Sequence, residues 1–105
     1  QRNDTNRLLQ INKILEILKK ETLPIIIAGD FNDVPSSKVI GFLDSYFIRT
    51  CTTGCPFTIP VNNPNKTIDF IAYTPSSKFS LMKHEVVDEK YASDHLPVIA
   101  EFKIK

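Results

Sequence analysis

Along the first twenty residues apolar side chains return every three or four positions. Leu8, Ile11, Leu15 and Leu18 form one stripe, which Leu9, Ile14 and Ile17 widen. The spacing predicts an amphipathic helix running from an N-cap at Asp4 or Thr5 to the basic pair Lys19 and Lys20. After Leu23 and Pro24 the helical period stops. The run "IIIA" is short, β-branched and apolar on both sides, as expected of a strand buried between two layers, and it halts at Gly29-Asp30. In "VPSSKVIGFLDS", a turn at Pro35, a cap at Ser36 or Ser37 and the apolar Val39, Ile40 and Leu43 predict a short helix. Residues 51–66 read as loop. Three strands are predicted after it: "TIDFIAY", "SLMKHEVV" and "PVIAEFKI", the last with Val98, Ala100, Phe102 and Ile104 in alternation. Neither an internal repeat nor a low-complexity linker divides this series.

Composition narrows the picture. The 105 residues, 42% of them hydrophobic, make one domain at most, and domains of this size bury roughly 60–70% of their extended surface. Thirteen basic and twelve acidic residues give a formal net charge of +1 without a long run of either sign. Recognition of a nucleic acid or a membrane by bulk charge is therefore not indicated, and any phosphate contact has to be local. No apolar run approaches the ~18–20 residues of a membrane span, and "QRNDTN" lacks the apolar core of a signal peptide. The chain opens without a methionine and goes directly into its helix, so a piece of a longer protein is expected.

Cys51 and Cys55, in "CTTGC", are the two cysteines. Without a further Cys or His pair they cannot complete a tetrahedral zinc shell, and the spacing is not that of a C-x-x-C redox motif. Free loop thiols are the favoured reading, with a local disulfide the alternative.

Three short stretches carry candidate chemistry. In "IIIAGDFND" a strand delivers Asp30 and Asn32 at its end, and residues two apart on an extended strand share a side, so the two can converge. The same letters also suit an ordinary turn, with Asn32 and Asp33 as loop formers. In "TIDFIAY" an acid, Asp69, interrupts an apolar strand and needs a partner unless it faces water. In "SDHLP" an acid and an imidazole, Asp94 and His95, precede the last strand. If the three strand ends are neighbours, Asp69 can bind one ring nitrogen of His95 and leave the other for chemistry, while Asp30, Asn32 and Asp94 handle metal, water and phosphate. The second histidine, His84, reads as a strand-surface residue without a catalytic role.

"GDFN" after an apolar strand, then "IDFI", then "SDHLP", in that order and with Pro35 and "FTIPVNNP" between them, resemble the carboxy-terminal half of the endonuclease/exonuclease/phosphatase superfamily, the deoxyribonuclease-I-like phosphoesterases. The resemblance covers nearly the whole chain. It implies an α/β fold: half of a two-sheet sandwich, one sheet with flanking helices, with residues 1–105 as the carboxy-terminal part of a single domain. It also implies hydrolysis of phosphodiesters or phosphomonoesters with Mg²⁺, Mn²⁺ being the alternative ion. Carried over to these positions, His95 stabilises or protonates the scissile phosphate and Asp69 orients it. Asp30 positions or deprotonates the attacking water, Asn32 hydrogen-bonds the phosphate, and Asp94 lies near the metal as ligand or neighbour.

Two departures bear on that expectation. Where many relatives have an arginine before the "ID" pair, this chain has Lys66-Thr67, so a cationic phosphate contact there falls to Lys66. The Asn, the metal-binding Glu and the second His that relatives bring from an amino-terminal half have no counterpart; Glu16 and Glu21 belong to the helix or its end. The 105 residues alone are thus expected to be nearly inert, and to leave an apolar sheet face with Ile26, Ile71 or Val98 for the missing half or a second copy. DNA, an inositol or lipid phosphodiester and a sugar phosphate are the substrate classes. The competing reading is a family member that has lost activity and serves as a binding scaffold; the intact set Asp30, Asn32, Asp69, Asp94 and His95 favours the enzyme.

Overall fold

The computed structural model describes residues 4–20, 23–31, 33–76 and 78–105. Its elements in chain order are α1 (Asp4–Leu18), β1 (Ile26–Asp30), α2 (Lys38–Asp44), β2 (Ile48–Arg49), β3 (Asp69–Tyr73), β4 (Phe79–Val86) and β5 (Val98–Ile104). The α/β class expected from the sequence holds. The strands divide between two antiparallel sheets, β1-β3-β2 and β4-β5, and β5 lies against β3. No helix among the described residues is long and apolar enough to cross a membrane.

The helices cover one face of the larger sheet. Ser37 caps α2, its Oγ accepting from the Ile40 N–H at 3.2 Å, and this fixes the entry angle that buries Val39, Ile40 and Leu43. From α1, Ile11 and Leu15 join them over Phe70 and Ala72, with Leu8, Leu18 and Ile27 half-buried at the margin. Leu9, Ile14 and Ile17, expected to widen the stripe, are 62%, 41% and 58% exposed, so the helix contacts the sheet along a narrower line than its sequence suggests. Helix α1 begins at Asp4, which puts a cap at Asp4 or Thr5 inside its first turn; the preceding position lies outside the described residues.

Strand β1 is not buried on both sides. Ile27 faces the helices, whereas Ile26 is 49% exposed and Ala28 is exposed. Side chains alternate along a strand, and β1 pairs with β3 in the register Ile26↔Tyr73, Ala28↔Ile71 and Asp30↔Asp69. One face of the sheet therefore carries an apolar patch that ends in two carboxylates. The rings of Tyr73, Phe79 and Phe102, with centroids 5.3–5.8 Å apart in edge-to-face contacts, join β3 to the β4-β5 sheet.

Strand β2 has no signal in the sequence. It is anchored by Arg49, whose guanidinium makes a two-pronged pair with Asp44 at 2.8 and 3.1 Å and lies over the Phe70 ring. Residues 51–66 form the predicted loop, but Cys51 and Cys55 are joined in a disulfide with Cα atoms 5.7 Å apart, in place of the free thiols favoured from sequence. Gly54 and Asn63 take left-handed backbone conformations, which these two residue types tolerate best.

Candidate active site

Asp30 is the last residue of β1 and Asp69 the first of β3, and the antiparallel register sets them directly opposite each other. Like charges in such a pair repel, so the arrangement asks for a positive group between them. His95 supplies one. Its Nδ1 lies 2.7 Å from Asp69 Oδ2, and its Nε2 lies 3.6 Å from Asp30 Oδ2 and 3.8 Å from Asp94 Oδ1. The loop that carries it is held on both sides of the imidazole. The Ser93 Oγ accepts from the His95 N–H at 3.1 Å, the Leu96 side chain is buried, and the Leu96 N–H donates to the Thr58 carbonyl at 2.7 Å. Pro97 follows, its carbonyl accepting from the Val87 N–H at 2.9 Å. That is why an acid and a histidine stand before "LP": the two apolar residues pin the turn that presents them.

A carboxylate accepts only, so Asp69 fixes the Nδ1–H tautomer and leaves Nε2 facing Asp30 and Asp94. The hydrogen bond from Asp69 raises the His95 pKa above its ordinary value, helped by the charges of Asp69, Asp30 and Asp94 and opposed by partial desolvation. The consequence for stability has a definite sign. A histidine whose folded value lies above the unfolded value of 6.5 contributes fully below 6.5, and the contribution is lost as pH rises through the folded value. His84 acts oppositely. Burial lowers its pKa, so its contribution is present above 6.5 and is lost as pH falls through the lower folded value. In metal-free buffer, His95→Ala should therefore destabilise the protein more at about pH 5.5 than at about pH 8.5. Urea titrations at both pH values check this, and equal losses would contradict the raised pKa.

Of the residues singled out from sequence, the structure brings Asp30, Asp69 and His95 together, with ligand-type atoms all within 4.8 Å of one another. Asp94 stands beside them with its side chain 84% exposed. Asn32 lies outside the described residues. His84 is not the surface histidine expected: it is half-buried, with its Nδ1 2.6 Å from Thr50 Oγ1. A strand pattern cannot show that, because the hydroxyl lies 34 residues away in the chain.

One opening holds both carboxylates, and a second lies around Lys66. A cleft of about 310 Å³ is lined by Asp30, Asp69 and His95 together with Ala28, Ile71 and Val98 of the apolar face. A wider groove of about 550 Å³ is lined by Pro35, Phe57, Lys66 and Thr67 and includes none of Asp30, Asp69 and His95.

The family model for the endonuclease/exonuclease/phosphatase family matches residues 1–95, a span that ends on the candidate histidine. Among solved structures, a functionally unknown conserved protein from Enterococcus faecalis V583 is similar with a TM-score of 0.80 at 22% identity, over 94% of this chain and 44% of that one. A mannosyl-6-phosphatase from Bacteroides thetaiotaomicron VPI-5482 is similar with a TM-score of 0.74 at 22% identity, over 97% of this chain and 47% of that one. An endonuclease/exonuclease/phosphatase from Bacteroides vulgatus gives a TM-score of 0.68 at 26% identity, over 94% and 42%. Among curated proteins no relative matches. The chain thus spans under half the length of the structures it resembles. With a family match over residues 1–95 of its 105, the chain belongs to the endonuclease/exonuclease/phosphatase family.

Proposed function

We propose that the protein hydrolyses phosphoesters with the help of a divalent cation, Mg²⁺ in the first instance and Mn²⁺ as the alternative. The observation that carries this reading is the facing pair Asp30 and Asp69 with the His95 imidazole between them, at the mouth of an open cleft. Asp69 holds Nδ1–H and sustains the charge on the ring. Nε2–H is then the donor available to a phosphate oxygen or to the departing alkoxide. Asp30 accepts a proton from the attacking water or aligns it, and Asn32 gives its amide N–H to the phosphate. These residues meet the need of phosphoryl chemistry for positioning and charge stabilisation rather than for a covalent nucleophile.

The donor set fits a hard cation. Mg²⁺ keeps several waters and takes one or two carboxylates, and Asp94, with Asp30 beside it, offers oxygens open to solvent. In this reading the His95 Nε2–H is kept for the phosphate, so the imidazole stands outside the donor set although its Nε2 lies within the group Asp30, Asp69 and His95. The ion's contribution, when bound, is positive charge against the phosphoryl oxygens.

The substrate is a phosphomonoester or phosphodiester of a sugar, a nucleic acid or an inositol lipid. A net charge of +1 argues against tight, non-specific duplex binding. A sugar phosphate is the first to test, because one structurally similar protein is a mannosyl-6-phosphatase. The apolar face beside the site takes either an amino-terminal half of the sandwich or a second copy. The full-length protein should hydrolyse p-nitrophenyl phosphate, bis(p-nitrophenyl) phosphate or mannose 6-phosphate with added Mg²⁺. Chelation with EDTA should abolish turnover and Mg²⁺ should restore it; activity that persists under strong chelation would defeat the cation's role.

A further inference from the structure

Asp69 opens β3 and His95 lies 26 residues on, in the turn before β5, so something has to hold their 2.7 Å contact in register. Thr58 touches the backbone next to both. Its side-chain Oγ1 accepts from the Ile68 N–H at 3.2 Å, one residue before Asp69. Its carbonyl accepts from the Leu96 N–H at 2.7 Å, one residue after His95. Its own N–H donates to the Lys66 carbonyl at 2.7 Å, and Thr67 Oγ1 donates to the Pro56 carbonyl at 3.0 Å, so the segment around Thr58 is tied down on the Asp69 side. Thr58 is also fully buried, at 0% exposure, which is unusual for a threonine in a loop.

We propose that Thr58 is a positioning residue: it spaces the strand end that carries Asp69 from the turn that carries His95, and thereby sets the hydrogen bond between them. It touches neither the cleft nor a substrate. A threonine suits this position because the task needs a side-chain acceptor and a main-chain acceptor on one residue, one for each partner. Valine has the same shape but lacks the oxygen, and would leave the Ile68 N–H buried without its acceptor. Small displacements of a reacting group cost rate steeply, so the effect should appear in turnover before it appears in substrate affinity.

This inference rests on the phosphoesterase reading for its kinetic consequence but not for its geometric one, and the experiment separates the two. In ¹⁵N-labelled full-length protein, well below its melting temperature, the hydrogen-bonded His95 Nδ1–H is followed by NMR in the native protein, Thr58→Val and Thr58→Ser. Turnover of p-nitrophenyl phosphate and bis(p-nitrophenyl) phosphate with Mg²⁺ is measured alongside. The expected result is that Thr58→Val shifts or broadens the His95 resonance and lowers kcat by roughly 10- to 100-fold at similar KM. Thr58→Ser, which keeps the oxygen, should recover most of both. If Thr58→Val only lowers Tm and leaves the resonance and kcat as in the native protein, Thr58 is structural and the proposal is overturned. If the native protein turns over neither ester, the functional reading fails, and the resonance alone decides the role of Thr58: unchanged in Thr58→Val it overturns the proposal, displaced and restored by Thr58→Ser it upholds it.

Discussion

Alanine at position 95 should reduce kcat of the full-length protein by at least roughly 10²-fold, with little change in KM and a folded protein. The argument begins with what the imidazole does not do. It is not a core side chain, and the turn that carries it is held by the buried Leu96, the Leu96 N–H on Thr58 and the Val87 N–H on Pro97. Removing the ring leaves those contacts in place. What disappears is the Nε2–H presented beside Asp30 and Asp94, and the positive charge that Asp69 sustains. Both matter most when charge builds up on the phosphate, so the loss falls on the transition state and therefore on kcat. Steady-state kinetics with a chromogenic phosphoester, checked by circular dichroism, measures it. Native turnover in the variant would remove His95 from the mechanism, and turnover lost together with the fold would make the residue structural.

The 105 residues on their own should associate and show almost no turnover. The face of the larger sheet opposite the helices presents Ile26, 49% exposed, beside Ala28, Ile71 and Tyr73, with Val98 at the edge of the same cleft. Contiguous apolar patches on soluble proteins mark contacts or drive association. The family resemblance also puts the metal-binding Glu outside these residues, and the chain spans under half the length of the structures it resembles. Sedimentation should therefore find dimers or larger species that a charged substitution, Ile26→Glu, disperses. A stable monomer with the turnover of the full-length protein would contradict both parts.

The sequence was most legible where structure is decided locally. Helix α2 was readable because its cap and its buried positions lie within seven residues, Ser37 to Leu43. The acids and the histidine were readable as a set because their motifs are short. What brings them together was not. The pairing of Asp30 with Asp69 depends on the register between β1 and β3, and strand β2 exists because Arg49 finds Asp44 and Phe70. Burial on both sides was inferred for β1 from four apolar letters, but an apolar strand records the faces it is suited to, not the faces that are covered. The same limit explains the exposed Leu9, Ile14 and Ile17, and His84, whose partner Thr50 is supplied by another sheet. The cysteine spacing admitted both thiol states, and only the closeness of Cys51 and Cys55 in the folded loop separates them.

The contacts between the two sheets differ in kind at their two ends. At Tyr73, about 13 Å along β3 from Asp69, three aromatic rings, Tyr73, Phe79 and Phe102, interlock edge to face. At Asp69 the link is polar: His95 on the carboxylate, Leu96 on Thr58, and His84 on Thr50 farther along β4. One end is joined by apolar surface and the other by hydrogen bonds. The aromatic contact holds across the pH range in which histidines titrate, while two of the three polar contacts are made by histidines whose pKa values move in opposite directions. The core beneath the helices, built around Ile11, Leu15, Ile40, Leu43, Phe70 and Ala72, contains neither histidine, so a change of pH reaches the contact between the sheets before it reaches that core.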